Sequence, residues 1–181
     1  ISGVRNTVHI IDLEKTKEKL EEALEAMAKM KADGKNILLV GTKIQIKGQV
    51  KETAEALSFP YINERWIGGT LSNFSEIKKR IAELENYRKD EKEGGLQKYT
   101  KKERVVLAKK MEKLERYYSG LINLKKTPDA VFVIDARAEH IAATEARKTG
   151  VPVVAILNSD SNMRDIDYPI LGNDASIPSI K

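Results

Sequence analysis

The chain has 181 residues, 41% hydrophobic and 33% charged, with a formal net charge of +5. That length can bury the core of one α/β domain and carry an appendage, and the positive balance points mildly to an anionic partner. The absence of cysteine excludes a disulfide framework, a thiolate zinc site and a thiol nucleophile, and no apolar run approaches the length that spans a bilayer, so no membrane partner is expected.

The chain opens at Ile1, without a methionine and in mid-pattern, so trimmed ends are expected and the lack of a targeting segment carries no meaning. TVHIID (7–12) is a short β-branched run and predicts a first strand. LEKTKEKLEEALEAMAKMKADG (13–34) predicts a helix, with Leu20, Leu24 and Met27 on one stripe and Gly34 as its stop. NILLVG (36–41) is a continuous apolar run of strand length, the mark of a strand buried on both faces. IKGQVKETAEALSF (46–59) predicts a second helix closed by Pro60, and YIN (61–63) a third, short strand. RWIGGTLSNF (65–74) follows, with Thr70, Ser72 and Asn73 as candidate caps for the next helix. Beyond residue 126, AVFVID (130–135), AEHIAATEARKTG (138–150) and VPVVAIL (151–157) read as strand, helix and strand.

Alternating strands and helices imply a parallel sheet with helices on both faces. Five strands suit a doubly wound sheet in the flavodoxin-like order. The segment 75–126 breaks the alternation. Phe74, Ile77, Ile81 and Leu84 recur at spacings of three and four; after EKEGGLQKYT (91–100), Leu107, Met111, Leu114, Tyr118 and Leu121 do the same. The fold class is therefore α/β: a flavodoxin-like, doubly wound, parallel five-stranded sheet with an inserted antiparallel helical hairpin of coiled-coil character. Residues 1–74 and 127–181 form the sheet domain. Residues 75–126 form a basic hairpin whose arms, roughly 30 Å long, protrude from it.

Charge follows the same division. Residues 75–126 hold 16 Lys and Arg against 9 Asp and Glu, whereas the rest of the chain holds 16 against 18. The basic residues cluster at Lys78, Lys79 and Arg80, at Lys101, Lys102 and Arg104, at Lys109 and Lys110, and at Lys125 and Lys126. Tyr87, Tyr99, Tyr117 and Tyr118 are interleaved with them. A solvated coiled-coil surface laced with ion pairs is the plain alternative; the clustering favours a nucleic-acid backbone.

Enzyme signatures are weak. Gly41-Thr42-Lys43 follows a strand but lacks the spacing of a phosphate-binding loop, and there is no G-x-G-x-x-G. His9 falls in a strand pattern and His140 near a helix start, so neither a catalytic triad nor a ligand pair is formed. DSNMRDID (160–167) reads as an acidic turn whose spacing does not match a calcium loop. In RWIGGTLSNF, a tight strand-to-helix turn with Trp66 packed on the sheet accounts for part of the pattern; exposed N–H groups and Arg65 facing a phosphate would account for the rest.

RWIGGTLSNF resembles the signature of the bacterial-type second protein family of the small ribosomal subunit. GVRNTVHIIDLEKT (3–16), ILLVGTK (37–43), PDAVFVIDARAEHIAATEARKTGVPVVAILNSDS (128–161) and IDYPILGNDASIPSI (166–180) resemble other motifs of that family, in collinear order over essentially the whole chain. The chain departs from the family pattern at Asn162-Met163-Arg164, at Asp174-Ala175 and at Pro178, and it lacks an upstream segment rich in His and Trp. The resemblance implies a flavodoxin-like sheet with a coiled-coil hairpin and a non-catalytic structural role with no cofactor; the departure at Asn162-Met163-Arg164 weakens the metal site it would carry over near Asp160 and His140, so no metal residue is assigned. It implies small-subunit rRNA and neighbouring ribosomal proteins as partners, including the large mRNA-binding one, in a protein monomeric within the ribosome. It leaves a cytoplasmic bacterial and an organellar ribosome both open. The candidate RNA-binding residues are then Arg65, Trp66, Gly68, Gly69, Thr70 and Asn73 in the loop, with Lys78, Lys79, Arg80, Lys101, Lys102, Arg104, Lys109 and Lys110 on the arms. A nucleotide- or metal-dependent enzyme and a protein-only coiled-coil adaptor are the rival readings.

Overall fold

In the computed structural model, which describes residues 1–6, 8–174 and 176–180, a central sheet carries the fold. Its strands are β3 (Ile37–Val40), β4 (Tyr61–Ile62), β5 (Ala130–Ile134), β6 (Val153–Leu157) and β7 (Tyr168–Leu171). They lie in the order β4-β3-β5-β6-β7 and every pairing is parallel. Counted within the sheet, that order is 2-1-3-4-5, the flavodoxin-like arrangement the alternation of strands and helices predicts.

The membership of the sheet differs from the sequence reading in one place. Of TVHIID, whose Thr7 lies outside the described residues, Val8–Ile10 (β2) pairs antiparallel with β1 (Gly3–Arg5) in a separate two-stranded ribbon and adds no strand to the central sheet. The fifth strand is β7, whose YPIL sequence is short, half-buried and interrupted by Pro169. An outer strand tolerates a proline because one of its edges needs no donor.

Side chains alternate across the sheet, as strand geometry requires. Ile37, Leu39, Ala130 and Ile134 pack with Met27 and Met30 of α1 (Leu13–Ala32) and Val50 and Ala54 of α2 (Lys47–Leu57). Leu38, Val40, Val131, Val133, Val153, Ala155 and Leu157 face the other way, towards Ala142, Ala143 and Ala146 of α5 (His140–Thr149). The chain closes in a four-residue helix, α6 (Ile177–Ile180). None of the described helices is long and apolar enough to cross a membrane.

The second face also receives α3 (Phe74–Lys92) and α4 (Lys101–Tyr118), which pack on each other. The start of α3 meets the end of α4, since Arg80 acts electrostatically on Tyr118. The end of α3 meets the start of α4, where Glu91 and Val105 line one groove, so the two helices run antiparallel. Their turn carries Gly94 at φ +75°, a conformation that favours glycine. A reciprocal Thr100–Glu103 cap then starts α4. The predicted seam residues Ile77, Ile81, Leu84, Met111, Leu114, Tyr118 and Leu121 are all buried in the same cluster as the sheet face. At the root of α4, Gly120 lies so close to β4 that an added Cβ would collide with the Tyr61 carbonyl oxygen. The helical pair is thus rooted in the core of the sheet.

Candidate nucleic-acid interface

The loop RWIGGTLSNF is organised by a carboxylate distant in sequence. Glu145 lies on the buried side of α5, only 8% exposed, among three alanines. Its carboxylate accepts hydrogen bonds from Trp66 Nε1 at 2.9 Å, Gly69 N at 3.2 Å, Leu71 N at 2.9 Å, and both N and Oγ of Ser72 at 2.9 Å. Burial works to raise the Glu145 carboxyl, but the donors, led by the Ser72 N–H and the Trp66 indole, outweigh it and hold it below its ordinary value. Gly69 sits at φ +92°, which turns its N–H inward.

Three of the loop's N–H groups, that of the candidate Gly69 among them, are therefore already bound to an internal anion. That part of the expectation is corrected: the loop has anion-binding geometry, and its own protein fills it. Trp66 and Thr70 are buried, and the Thr70 hydroxyl donates to the Ile67 carbonyl oxygen. Arg65, Gly68 and Asn73 remain exposed. Of the predicted capping residues, Asn73 takes the N-cap position of α3, where its side chain accepts from Ser75 Oγ at 3.0 Å.

The outer side of the same loop forms one wall of an open cleft of about 550 Å³ against α3 and α4. Arg65, Arg80, Lys110 and Lys113 reach it, over an apolar floor that includes Trp66, Leu114 and Tyr117. The structure thus brings together Arg65, Trp66, Gly68, Arg80 and Lys110 of the sequence candidates. It adds Lys113, which the sequence reading did not single out, and Tyr117, noted there as an interleaved aromatic but not assigned to the site. Their signal was available: Lys110, Lys113 and Tyr117 fall at spacings of three and four on one helix.

The other candidates lie elsewhere. Lys109 lines a separate groove with Arg88, Glu91, Glu112 and Glu115. Lys101, Lys102 and Arg104 occupy the first turn of α4, at the far end of the helical pair from Arg65. Lys78 and Lys79 are exposed on α3. The arms differ in how their charge is met. Lys79 pairs with Glu76, Arg80 at 3.2 Å and Lys110 with Glu83, and Arg88 with Glu115. Among the described residues, Arg65, Lys78, Lys101, Lys102, Arg104, Lys109 and Lys113 form no ion pair. Their charge faces solvent, where it attracts an outside anion. Arg116 anchors the root of α4 by pairing at 2.9 Å with Glu64. Hydrogen bonds from Lys47 and Arg116 hold the Glu64 carboxyl below its ordinary value.

The carboxyl ends of β3 and β5, where flavodoxin-like sheets bind ligands, are filled from within. Thr42 donates its hydroxyl, and its N–H at 3.2 Å, to buried Glu139. The Lys43 ammonium pairs with Asp135 and, at 3.6 Å, with Asp174. Burial pushes up the carboxyls of Glu139 and Asp174. Asp135 is also buried, yet Lys43 and the N–H groups of Ala138 and Arg137 pull its carboxyl down. Among the described residues, no three His, Asp or Glu side chains converge as a metal site. His9 is an exposed histidine bonded to Ser159 Oγ at 2.8 Å, and His140 Nδ1 lies 3.1 Å from the Arg137 carbonyl oxygen. Asp160 pairs with Arg137, and Asp165 with Arg147 at 3.5 Å.

Comparison with known proteins matches residues 1–181 to the family described as Ribosomal protein S2. Similar relatives carry the name small ribosomal subunit protein uS2. The one from Wolinella succinogenes is 45% identical over 181 residues, all of this chain and 67% of that protein. The one from Helicobacter hepaticus is 46% identical over the same span, 69% of its length. The one from Nitratiruptor sp. is 46% identical, over 68% of its length.

Proposed function

Because the chain belongs to the Ribosomal protein S2 family, we propose that it is a non-catalytic constituent of the small ribosomal subunit that binds small-subunit rRNA. The observation that carries this reading is the uneven distribution of charge: residues 75–126 hold 16 Lys and Arg against 9 Asp and Glu, the rest of the chain 16 against 18. Among the described residues, Lys78, Lys101, Lys102, Arg104, Lys109 and Lys113 of α3 and α4, with Arg65 beside them, form no ion pair. Arg65, Gly68 and Asn73 form the loop side of the interface. Lys78, Lys79, Arg80, Lys101, Lys102, Arg104, Lys109 and Lys110 form the helical side. Trp66, Gly69 and Thr70 shape the loop from within. Residues 75–126 act as the RNA-facing unit, and the weakly acidic sheet faces neighbouring ribosomal proteins, including the large mRNA-binding one. The protein sits as a monomer in a cytoplasmic ribosome and requires no cofactor.

The test is co-sedimentation with small subunits stripped of this protein. Deleting the arms would remove seven buried seam residues, so charge substitution is the cleaner change. The intact chain is expected to join the particle stoichiometrically, and a Lys101→Glu, Lys102→Glu, Arg104→Glu variant to lose most of its occupancy at moderate salt. Each lost phosphate contact weakens binding and flattens its salt dependence. An unchanged occupancy and salt slope in the variant would overturn the assignment to the arms. Failure of the intact chain to join would overturn the ribosomal reading.

A further inference from the structure

We infer that the cleft between the 65–74 loop and the root of the helical pair is a pocket for one unpaired nucleotide of the bound RNA, held by stacking as well as by charge. This rests on the RNA-binding reading above and makes it more specific, since phosphate contact alone would need only a flat basic face.

The cleft is not flat. It encloses about 550 Å³, within the range that holds a small organic ligand. Its walls and floor differ in chemistry. Arg65 stands on the loop side, and Arg80, Lys110 and Lys113 on the helical side. Arg65 and Lys113 form no ion pair among the described residues, and Arg80 and Lys110 share one carboxylate, Glu83. The cations therefore outnumber the nearby acids and leave a net demand for negative charge. Between them lie Leu114 and the half-buried ring of Tyr117, which packs against the core. The Arg116 guanidinium lies 5.8 Å from the ring centroid, which orients Tyr117 through cation–π attraction.

An aromatic ring set among four cations, of which Arg65 and Lys113 form no ion pair among the described residues, suits a flat, apolar base joined to a phosphate. Bases inside an A-form duplex offer no such face, because stacking covers both sides of each ring. Proteins reach base faces in RNA where nucleotides are splayed from loops, bulges and ends. Stacking on an aromatic side chain tolerates any of the four bases. The pocket therefore selects an extruded nucleotide over a paired one, with little preference for which base it carries.

Trp66 is the only tryptophan and lines this cleft, so its emission reports occupancy directly. The experiment titrates the full chain with an RNA stem carrying one unpaired nucleotide, with each base in turn, and with the same stem fully paired. The bulged stems are expected to bind about tenfold more tightly and to change Trp66 emission, whereas the paired stem leaves it unchanged. Tyr117→Phe keeps the preference and Tyr117→Ala removes it, while Lys101→Ala with Lys102→Ala weakens both RNAs equally. Equal binding of bulged and paired stems by the intact chain overturns the pocket but leaves RNA binding standing. Binding of neither overturns both. Free AMP competing at the same concentration as the bulged stem would make the ligand a mononucleotide and overturn the assignment to RNA.

Discussion

The end of the sheet and the cleft beside it are both rich in charge and both bordered by glycine-containing turns, yet they are built oppositely. At the carboxyl ends of β3 and β5, Lys43 is held between Asp135 and Asp174, and Thr42 is held by Glu139. In the 65–74 loop, three backbone N–H groups and the Trp66 indole converge on Glu145. Both places have the form of a ligand site and both are closed by the protein's own groups. On the outer side of the loop, Arg65 and Lys113 form no ion pair among the described residues. The lesson is that a phosphate-like loop pattern is informative only once the destination of its donors is known. Where an internal carboxylate meets them, the loop is architecture, and function moves to the unmatched cations beside it.

The sharpest way to break this comparison is to remove the internal anion. Glu145→Ala leaves several buried donors unsatisfied, each costing on the order of 1–3 kcal/mol. Because the loop relaxes in part, a net loss of about 3 kcal/mol is expected in urea unfolding. RNA affinity should fall as well, since Arg65 loses its support. Glu145→Gln retains one acceptor and should lose roughly half as much. A loss within experimental error for Glu145→Ala would mean that the loop is organised by something other than this carboxylate.

Much of the sheet was legible because β3, β5 and β6 are uninterrupted apolar runs buried on both faces. The seam of α3 and α4 was legible for a similar reason, a repeat at spacings of three and four that ends up buried. TVHIID misled because a β-branched run favours extended backbone without specifying its partner, and β2 pairs with β1 instead of joining the sheet. β7 was hidden by its length and by Pro169, features that local pattern reads as a loop. The control of the loop by Glu145 was illegible, since a glutamate on an alanine-rich helix looks solvated until the tertiary fold brings it against residues more than 70 positions away.

A smaller effect sharpens the contrast between two glutamates of one segment. Glu145 has its carboxyl held down, so its contribution is fully present above the ordinary value of 4.5 and is lost as pH falls through the lower folded value. Glu139 has its carboxyl pushed up by burial. The folded state binds its proton more tightly than the unfolded state does, so Glu139 favours folding at low pH and loses that advantage as pH rises from 4.5 through the raised value. Melting temperature against pH should therefore move in opposite directions in the two variants. Glu139→Gln, which still accepts from Thr42, should match or exceed the wild type at neutral pH and lose its advantage towards pH 4.5. Glu145→Gln should be weaker than the wild type at neutral pH and converge on it in acid. Parallel curves would show that the two carboxylates do not differ in the way their surroundings require.

The smallest expected effect tests whether ion pairs on the arms matter for folding at all. Lys79 and Glu76 are bonded in a single helical turn, with both side chains largely in water. Such a pair gains little, because solvent and salt screen it and two flexible side chains must be held still. Lys79→Ala should leave the melting temperature unchanged at moderate salt while it weakens RNA binding and lowers the salt slope by about one phosphate contact. The same substitution thus separates the two roles a surface lysine can have. A fall in melting temperature with intact RNA affinity would assign Lys79 to the helix, and the charge of α3 would then be structural in the same sense as the charge of the sheet.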